Sequence, residues 1–215
     1  MTLTLWGRPT SANVQKVRWA LAELDQPYEH VPLGGRFGGN RTADYLALNP
    51  NGLVPTLRDG PLVLWESHAI LRYLAARYGA GALWPEDVQA RAAVDQWTDW
   101  TATTFQPAWI DVFWAVVRTP ESKRDAARIA RAIEATEQGF AIMDGRLGQV
   151  PFLGGETLTY ADLAAGVAMF RWETMPIERR VHPHVAAWHR RLQERPAFRA
   201  AVEVDYAELA AREAF

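Results

Sequence analysis

The sequence predicts an α+β N-terminal domain followed by an all-α C-terminal domain, and three observations carry this prediction. Short β-rich runs stop at Trp65. A break rich in glycine and proline, GAGALWPE at residues 79–86, follows them. Every periodic segment after the break has helical spacing. We therefore predict the order β-α-β-α-β-β-α over residues 1–79, a linker over 80–87 and a helical domain over 88–215.

A βαβ unit opens the chain. Apolar and polar residues alternate over Thr2–Trp6, as in a half-buried strand. Helical spacing follows, from the candidate N-cap residues Thr10 and Ser11 as far as Leu24. Tyr28–Val31 is predicted to be a second strand, and the helical crossover between the two strands predicts that they are parallel.

A glycine-rich stretch, LGGRFGGN, occupies residues 33–40. Its spacing matches neither GxGxxG nor GxxxxGKS/T, and no strand-to-helix turn frames it. We therefore predict a surface loop here rather than a nucleotide site. Residues 42–48 are predicted to form a short helix after this loop.

The next stretch, NPNGLVPTLRDGPLVLWES at residues 49–67, is predicted to be a β-hairpin. Strands over Val54–Leu57 and Leu62–Trp65 flank Asp59-Gly60, a dipeptide that favours a two-residue turn. Pro55 cannot donate a ladder hydrogen bond, and Glu66-Ser67 stands directly before a helical pattern. A non-donating edge beside a helix N terminus predicts a site for a small peptide-like anion.

Four main helices are predicted in the C-terminal domain. Pro107 is expected to kink the first of them because it removes a backbone donor. Thr159 and Asp162 have capping-box spacing at the start of the third helix, with Asp in place of the usual Glu. The predicted helices lie over about 88–117, 121–147, 159–171 and 183–194.

Composition excludes several classes of protein. The formal net charge is −2 without long blocks of like charge, which argues against nucleic acid or an anionic membrane as partner. Neither an apolar run of roughly 18 residues nor a secretory leader is present, so we expect a cytoplasmic protein. Cysteine is absent, so any thiol chemistry needs a ligand that brings the thiol. His182, His184 and His189 have no carboxylate cluster near them, and no metal site is predicted.

Three segments resemble motifs of one family. Ser11–Val17, SANVQKV, is similar to a serine motif at the start of a first helix; Asn49–Pro55 resembles a segment with a cis-proline; and Trp65–Ser67 resembles a motif that holds the γ-glutamyl end of glutathione. Their order and spacing resemble those of the soluble glutathione transferases, in particular the bacterial, serine-type, theta- or delta-like members. The resemblance covers essentially the whole chain and implies a thioredoxin-like N-terminal domain.

The resemblance places the catalytic residues on the first helix. Ser11 would donate a hydrogen bond to the glutathione sulfur and stabilise the thiolate, with Asn13 as a second donor in the same turn. Lowering a thiol pKa of about 8.5 by about two units requires roughly 2.7 kcal/mol. A hydrogen bond to a charged group supplies about 1.5 to 3 kcal/mol and a helix N terminus about 0.3 to 1 kcal/mol. Which side chain contacts the sulfur stays open, as does the alternative that Ser11 only caps the helix.

The resemblance also implies the glutathione-binding residues. The backbone of Val54 would pair with the cysteinyl unit, beside a cis Pro55. Glu66 and Ser67 would bind the γ-glutamyl amine and carboxylate, although Ser67 is alternatively a simple helix cap. Asn40, which is not basic, falls where the family often places a contact to the glycine carboxylate.

The electrophile is expected to meet the thiolate between the domains. Large aromatic side chains crowd the first C-terminal helix, where they form either the domain core or a pocket for a flat apolar electrophile. The predicted pocket residues are Trp100, Thr103, Thr104, Trp109 and Phe113.

The resemblance implies a cytoplasmic, homodimeric detoxification enzyme. It would use glutathione as cosubstrate, without a metal, and conjugate it to a small hydrophobic electrophile. Two alternatives stay open. One is another glutathione-dependent enzyme on the same fold, such as an isomerase, dehalogenase or ether-cleaving lyase. The other is a non-catalytic protein that binds glutathione or another ligand.

Overall fold

The computed structural model describes residues 3–213, and its N-terminal part is a four-stranded mixed sheet. The strands are Leu3–Trp6 (β1), Tyr28–Val31 (β2), Thr56–Asp59 (β3) and Leu62–Trp65 (β4). Their order in the sheet is β2-β1-β3-β4. β1 is parallel to β2 and antiparallel to β3, and β4 is antiparallel to β3.

Three α-helices complete this part and confirm the predicted order β-α-β-α-β-β-α. α1 and α3 pack against each other beside the sheet, where Leu5, Leu57 and Ile70 are fully buried. The glycine-rich loop contains a single 3₁₀ turn, and Thr2 of the predicted first strand lies outside the described residues. The helices are Ala12–Glu23 (α1), Ala43–Leu48 (α2) and Ser67–Tyr78 (α3).

The first strand of the hairpin begins later than predicted. β3 starts at Thr56 rather than at Val54. Pro55 has no N–H group to donate, so regular ladder pairing begins only after it. Val54 is therefore left outside the sheet, next to its end.

In the described residues, the C-terminal part contains helices and connecting loops but no β-strand of the sheet. The central helix, α7, is buried along most of its length. The predicted capping box at its start is confirmed: the carboxylate of Asp162 accepts from the backbone N–H of Thr159 at 2.9 Å. The helices are Val88–Trp100 (α4), Gln106–Phe113 (α5), Ala126–Leu147 (α6), Tyr160–Thr174 (α7), Pro183–Gln193 (α8) and Pro196–Val202 (α9).

The predicted helix over 88–117 is helical throughout, from Val88 to Arg118, but it is not a regular α-helix. A π-helical segment at Thr101–Phe105 joins α4 to α5. A second π-helical segment, Trp114–Arg118, follows α5. Pro107 has no N–H group for the carbonyl of Thr103, and the first π segment accommodates this loss. Each residue added to a helix turns the later side chains by about 100°, so the faces of α5 differ from those of an uninterrupted helix.

The two domains pack together through α1. Trp19 of α1 is fully buried against α7. A Cβ atom on Gly166 of α7 would lie 2.9 Å from Trp19 Cζ3 and 2.9 Å from Leu192 Cδ1, so the approach requires glycine. Trp19 Nε1 also donates to Glu23 at 2.8 Å, and Glu23 forms an ion pair with Arg195. These contacts fix α1, and with it Ser11 at its N terminus, against the helical domain.

We expect Gly166→Ala to lower the free energy of unfolding by about 1 to 3 kcal/mol, because the added methyl group overpacks the domain interface. Urea denaturation followed by tryptophan fluorescence measures this change. Gly145→Ala is the matched control, since Gly145 lies in α6 with no atom within 4 Å of the added Cβ position. The control should be neutral or stabilising. Equal stability of the two variants would contradict the packing argument.

Candidate active site

Two neighbouring cavities meet at the N terminus of α1. The larger has a volume of about 270 Å³ and is lined by four of the predicted site residues, Ser11, Asn13, Asn40 and Val54. The smaller has a volume of about 100 Å³ and also contains Ser11 and Asn13 in its wall. Ile110 of α5 borders both cavities, so the site lies between the two domains.

The hydroxyl group of Ser11 is available to a ligand. Ser11 occupies the N-cap position of α1 with extended backbone angles, but its side chain makes no capping hydrogen bond. In this structure the Ser11 side chain therefore does not cap α1. The hydroxyl borders both cavities at the positive end of the α1 dipole, where an anion is stabilised.

Asn13 is held by a buried polar network. Its Oδ1 atom accepts from Lys16 Nζ at 3.1 Å, from Gln106 Nε2 at 3.2 Å and from Ser67 Oγ at 3.4 Å. A lysine ammonium only donates, so the atom it contacts must be the amide oxygen. This contact directs the NH₂ group of Asn13 away from the network, and Asn13 lines both cavities.

Lys16 lies at the centre of this network and is 0% exposed. Its three ammonium hydrogens meet three acceptors: Asn13 Oδ1, His68 Nε2 at 2.7 Å and Gln106 Oε1. Burial lowers the pKa of Lys16 to about 7, against the opposing effect of the Glu66 charge. Burial and the Lys16 charge lower the pKa of His68 to about 2, so His68 is neutral and its Nε2 atom accepts.

Val54 offers an open peptide edge beside this network. The Val54–Pro55 peptide bond is cis. Neither backbone polar group of Val54 has a hydrogen-bond partner among residues 3–213. Tyr45 Oη and Asn49 Nδ2 both donate to the carbonyl of Leu53, at 2.6 Å and 2.8 Å. These hydrogen bonds hold the segment that leads into Val54. The cavity therefore has a preformed edge for an extended peptide.

Glu66 and Ser67 form the turn between β4 and α3. Glu66 is exposed and has a φ of 71°, which a residue with a side chain rarely adopts. It occupies the N-cap position of α3, so the alternative that Ser67 caps this helix is wrong. Ser67 is the first helical residue, and its hydroxyl donates to Asn13 Oδ1, which joins the turn to α1.

Comparisons with known proteins agree with this architecture. The sequence profile described as "Glutathione S-transferase, N-terminal domain" matches residues 5–82, and the corresponding C-terminal domain profile matches residues 126–191. The chain belongs to the glutathione S-transferase family. It is 40% identical to the glutathione S-transferase GstB of Escherichia coli, over 94% of this chain and 98% of that protein.

Solved structures extend this comparison. A theta-class glutathione S-transferase from Xanthomonas axonopodis pv. citri, with glutathione bound, is 48% identical, with a TM-score of 0.91. The match covers 95% of this chain and 98% of that one. A glutathione S-transferase-I bound with lactoylglutathione is 27% identical, with a TM-score of 0.84, over 94% and 99% of the two chains. The chain is thus a glutathione transferase with the glutathione S-transferase fold.

In this glutathione S-transferase, most of the residues predicted to line the electrophile pocket lie elsewhere. Thr103 and Thr104 are exposed, and Trp100 stacks on Phe105. Trp109 is 1% exposed and belongs to the domain core, whereas Phe113 lines the smaller cavity. Relative to a regular α-helix, the π segments rotate the side chains that follow Trp100 about the helix axis.

Sequence reasoning missed several residues of this transferase's site. Arg8 lines both cavities and precedes Ser11 by three residues. Lys16 follows Asn13 by three residues, a helical spacing that places the two side chains together and could have been read from the sequence. Gln106 and Ile110 carry no such signal, because only the packing of α5 on the N-terminal domain brings them to the site.

Two kinds of feature are absent from the part of the chain that the structure describes. Among the described residues, no helix is both long enough and apolar enough to cross a membrane. Residues 3–213 contain no group of three or more histidine, aspartate or glutamate side chains placed to hold a metal ion.

The low pKa of Lys16 makes stability depend on pH. Between about pH 7 and pH 9.5 an unfolded lysine stays protonated, whereas the buried Lys16 loses its proton. The unfolded state then binds more protons, so the free energy of unfolding rises with pH in this window. We expect the free energy of unfolding of Lys16→Met to show no such rise between about pH 7 and pH 9.5, as measured by urea denaturation.

Lys123 provides the matched control, because the chain has only two lysines and Lys123 is exposed. Lys123→Met should keep the rise in stability between about pH 7 and pH 9.5. A Lys16→Met variant with the same pH dependence as wild type would show that Lys16 titrates normally.

Proposed function

We propose that glutathione occupies the larger cavity in an extended conformation. Its cysteinyl unit pairs with the free backbone groups of Val54, next to the cis Pro55. Its γ-glutamyl ammonium faces the carboxylate of Glu66, and its γ-glutamyl carboxylate meets the N terminus of α3 at Ser67. Asn40 borders the other end of the cavity, near the expected glycine carboxylate, and its Nδ2 atom donates to Gly52 O at 2.9 Å. The open edge of Val54 and the charge of each partner support this orientation.

In this orientation the glutathione sulfur lies at Ser11, and the hydroxyl of Ser11 donates to it. The thiol releases its proton to solvent, and the thiolate is stabilised by this hydrogen bond and by the α1 dipole. The thiolate then attacks the electrophile, with formation of a carbon–sulfur bond. One observation carries the proposal: the Ser11 hydroxyl has no capping bond and stands where a peptide-binding cavity meets a second cavity.

Asn13 supports Ser11 in this mechanism. The network with Lys16 and Gln106 holds the Asn13 amide oxygen, so the NH₂ group of Asn13 is the second donor available to the sulfur. The network also joins Ser67 to Asn13. The groups that bind the γ-glutamyl end and the groups that stabilise the thiolate are therefore parts of one rigid unit.

A second cavity at Ser11 favours conjugation over simple glutathione binding. A protein that only carries glutathione needs the larger cavity, whereas a transferase also needs space for a second substrate beside the sulfur. The smaller cavity provides this space. Isomerase, dehalogenase and lyase reactions on the same fold would use the same thiolate, and the second substrate distinguishes them.

Three further features stay predictions that rest on the family resemblance. They are a cytoplasmic location, a homodimeric assembly and a role in detoxification. We also propose the domain division 1–79, 80–87 and 88–215; α3 ends at Tyr78 and α4 begins at Val88.

We expect Ser11→Ala to lower kcat for glutathione conjugation by about tenfold to a hundredfold, the effect of losing one hydrogen bond to an anion. The KM for glutathione should stay within a few-fold. Ultraviolet absorption of bound glutathione against pH should show a raised thiol pKa. Asn13→Ala, assayed in parallel, decides between the two donors. Unchanged turnover in Ser11→Ala would transfer the role to Asn13 or to backbone groups.

We expect Glu66→Gln to raise the KM for glutathione by about tenfold, because the ammonium of the γ-glutamyl unit loses its charged partner. The kcat value should change little, since the reacting atoms do not contact Glu66. A glutathione analogue without the α-amino group is the control and should bind wild type and variant equally. Weaker binding of this analogue to the variant would assign Glu66 a purely structural role in the turn.

A further inference from the structure

Arginine side chains form one wall of the smaller cavity beside Ser11. Arg8, Arg118 and Arg171 line it, and they are 7%, 3% and 3% exposed. Arg8 and Arg118 also line an adjoining cavity of about 120 Å³, together with Arg36, Arg212 and Glu208. Glu208 is the only carboxylate among the described residues that line these two cavities. Within residues 3–213, the lining of these two cavities is therefore predominantly basic in its charged groups.

Arg171 is the most informative member of this group. Its Nη2 atom donates to the carbonyl of Thr10 at 2.7 Å, and its guanidinium lies 4.8 Å from the ring centre of Phe113. Its Nε atom is buried without a hydrogen-bond partner, and no carboxylate lies within ion-pair distance in the described part of the chain. A buried charge without a counter-ion is strongly unfavourable unless a ligand provides one.

The described residues of the cavity wall carry a positive charge at neutral pH. Burial lowers the pKa of Arg118 and of Arg171 to about 10, and the neighbouring arginines contribute in the same direction. Both guanidinium groups nevertheless keep their protons near pH 7. Glu208 is already engaged, since it accepts from Thr10 Oγ1 at 2.7 Å and lies 3.1 Å from Arg36.

We propose that the second substrate is a small electrophile with an anionic group, a carboxylate in the simplest case, which binds in the smaller cavity beside Arg171 while its reactive carbon faces Ser11. This inference rests on the proposed function and specifies its substrate class. The smaller cavity has well under half the volume of the larger one, about 100 Å³ against about 270 Å³. A flat aromatic electrophile fits this space less well than a short acid does.

The chemistry of a 2-halocarboxylate illustrates the step. The thiolate of glutathione forms a bond to the carbon next to the carboxylate, and the carbon–halogen bond breaks with its electron pair going to the halide. The proton of the thiol has already passed to solvent. The carboxylate is unchanged by the reaction and stays beside the arginines, which orient the carbon toward the sulfur.

Iodoacetate and iodoacetamide test this proposal, because they share a reactive carbon and a leaving group and differ in charge. The uncatalysed rates with glutathione provide the baseline. For the wild-type protein, the ratio of kcat/KM with iodoacetate to kcat/KM with iodoacetamide should exceed the ratio of the two uncatalysed rate constants. The expected excess is at least about tenfold, the effect of one charge-assisted hydrogen bond. Arg171→Gln should reduce this ratio by about tenfold, and the ratio is the readout because a general loss of activity lowers both rates alike.

Arg180→Gln is the matched control, since Arg180 is 61% exposed, forms an ion pair with Glu134 and lines none of the cavities beside Ser11 and Arg118. It should keep the wild-type ratio. Inhibition of the wild-type protein by acetate and by acetamide does not depend on how any variant folds. Acetate should compete with iodoacetate, and acetamide should not.

The outcomes separate this inference from the proposed function. Turnover of iodoacetamide without preference for iodoacetate would overturn the inference alone. Equal inhibition by acetate and acetamide would do the same. A rise in the KM for glutathione that is equal with both electrophiles in Arg171→Gln would assign the arginines to glutathione instead. Turnover of neither probe by the wild-type protein would reject the proposed function and this inference with it.

Discussion

The buried ammonium group of Lys16 organises the active site. It has three donor hydrogens and meets acceptors from three helices: Asn13 on α1, His68 on α3 and Gln106 on α5. A buried polar network stabilises a fold only when its members are satisfied, and this arrangement satisfies the ammonium. Because the acceptors come from both domains, the network fixes how the domains meet. The Asn13 amide and the Ser67 hydroxyl take their orientation from it.

The division of labour in the site follows from this arrangement. The N-terminal domain supplies peptide recognition through the edge at Val54 and the turn at Glu66, both set by local backbone geometry. The N terminus of α1 supplies thiolate stabilisation through Ser11. The helical domain supplies the far wall of the second cavity, where Arg171 reaches back to the carbonyl of Thr10. Arg171 thus links the two domains and contributes a positive charge to the cavity wall.

The second cavity has a different character from the one that the aromatic composition suggested. The tryptophans of residues 97–114 largely form or cover the helical core; Trp100, for example, stacks on Phe105. Arginines are held beside aromatic rings instead, as with Arg118 over Trp114 at 4.1 Å and Arg171 over Phe113 at 4.8 Å. Aromatic rings stabilise buried cations through their negative faces. The aromatic residues therefore support a basic wall in a cavity that Ile110, Phe113 and Leu209 also line.

The sequence by itself determined the fold class, the family, the hairpin and the capping box at Asp162. These depend on spacings of a few residues, and local chemistry fixes them: Pro55 cannot donate, and a carboxylate three residues after Thr159 reaches back to its N–H group. Only the tertiary structure decided which distant side chains meet. Gln106 reaches Asn13 across 93 positions, and Arg171 reaches Thr10 across 161. Such contacts depend on the packing of α5 and α7 and on the π segments, and no local spacing encodes them.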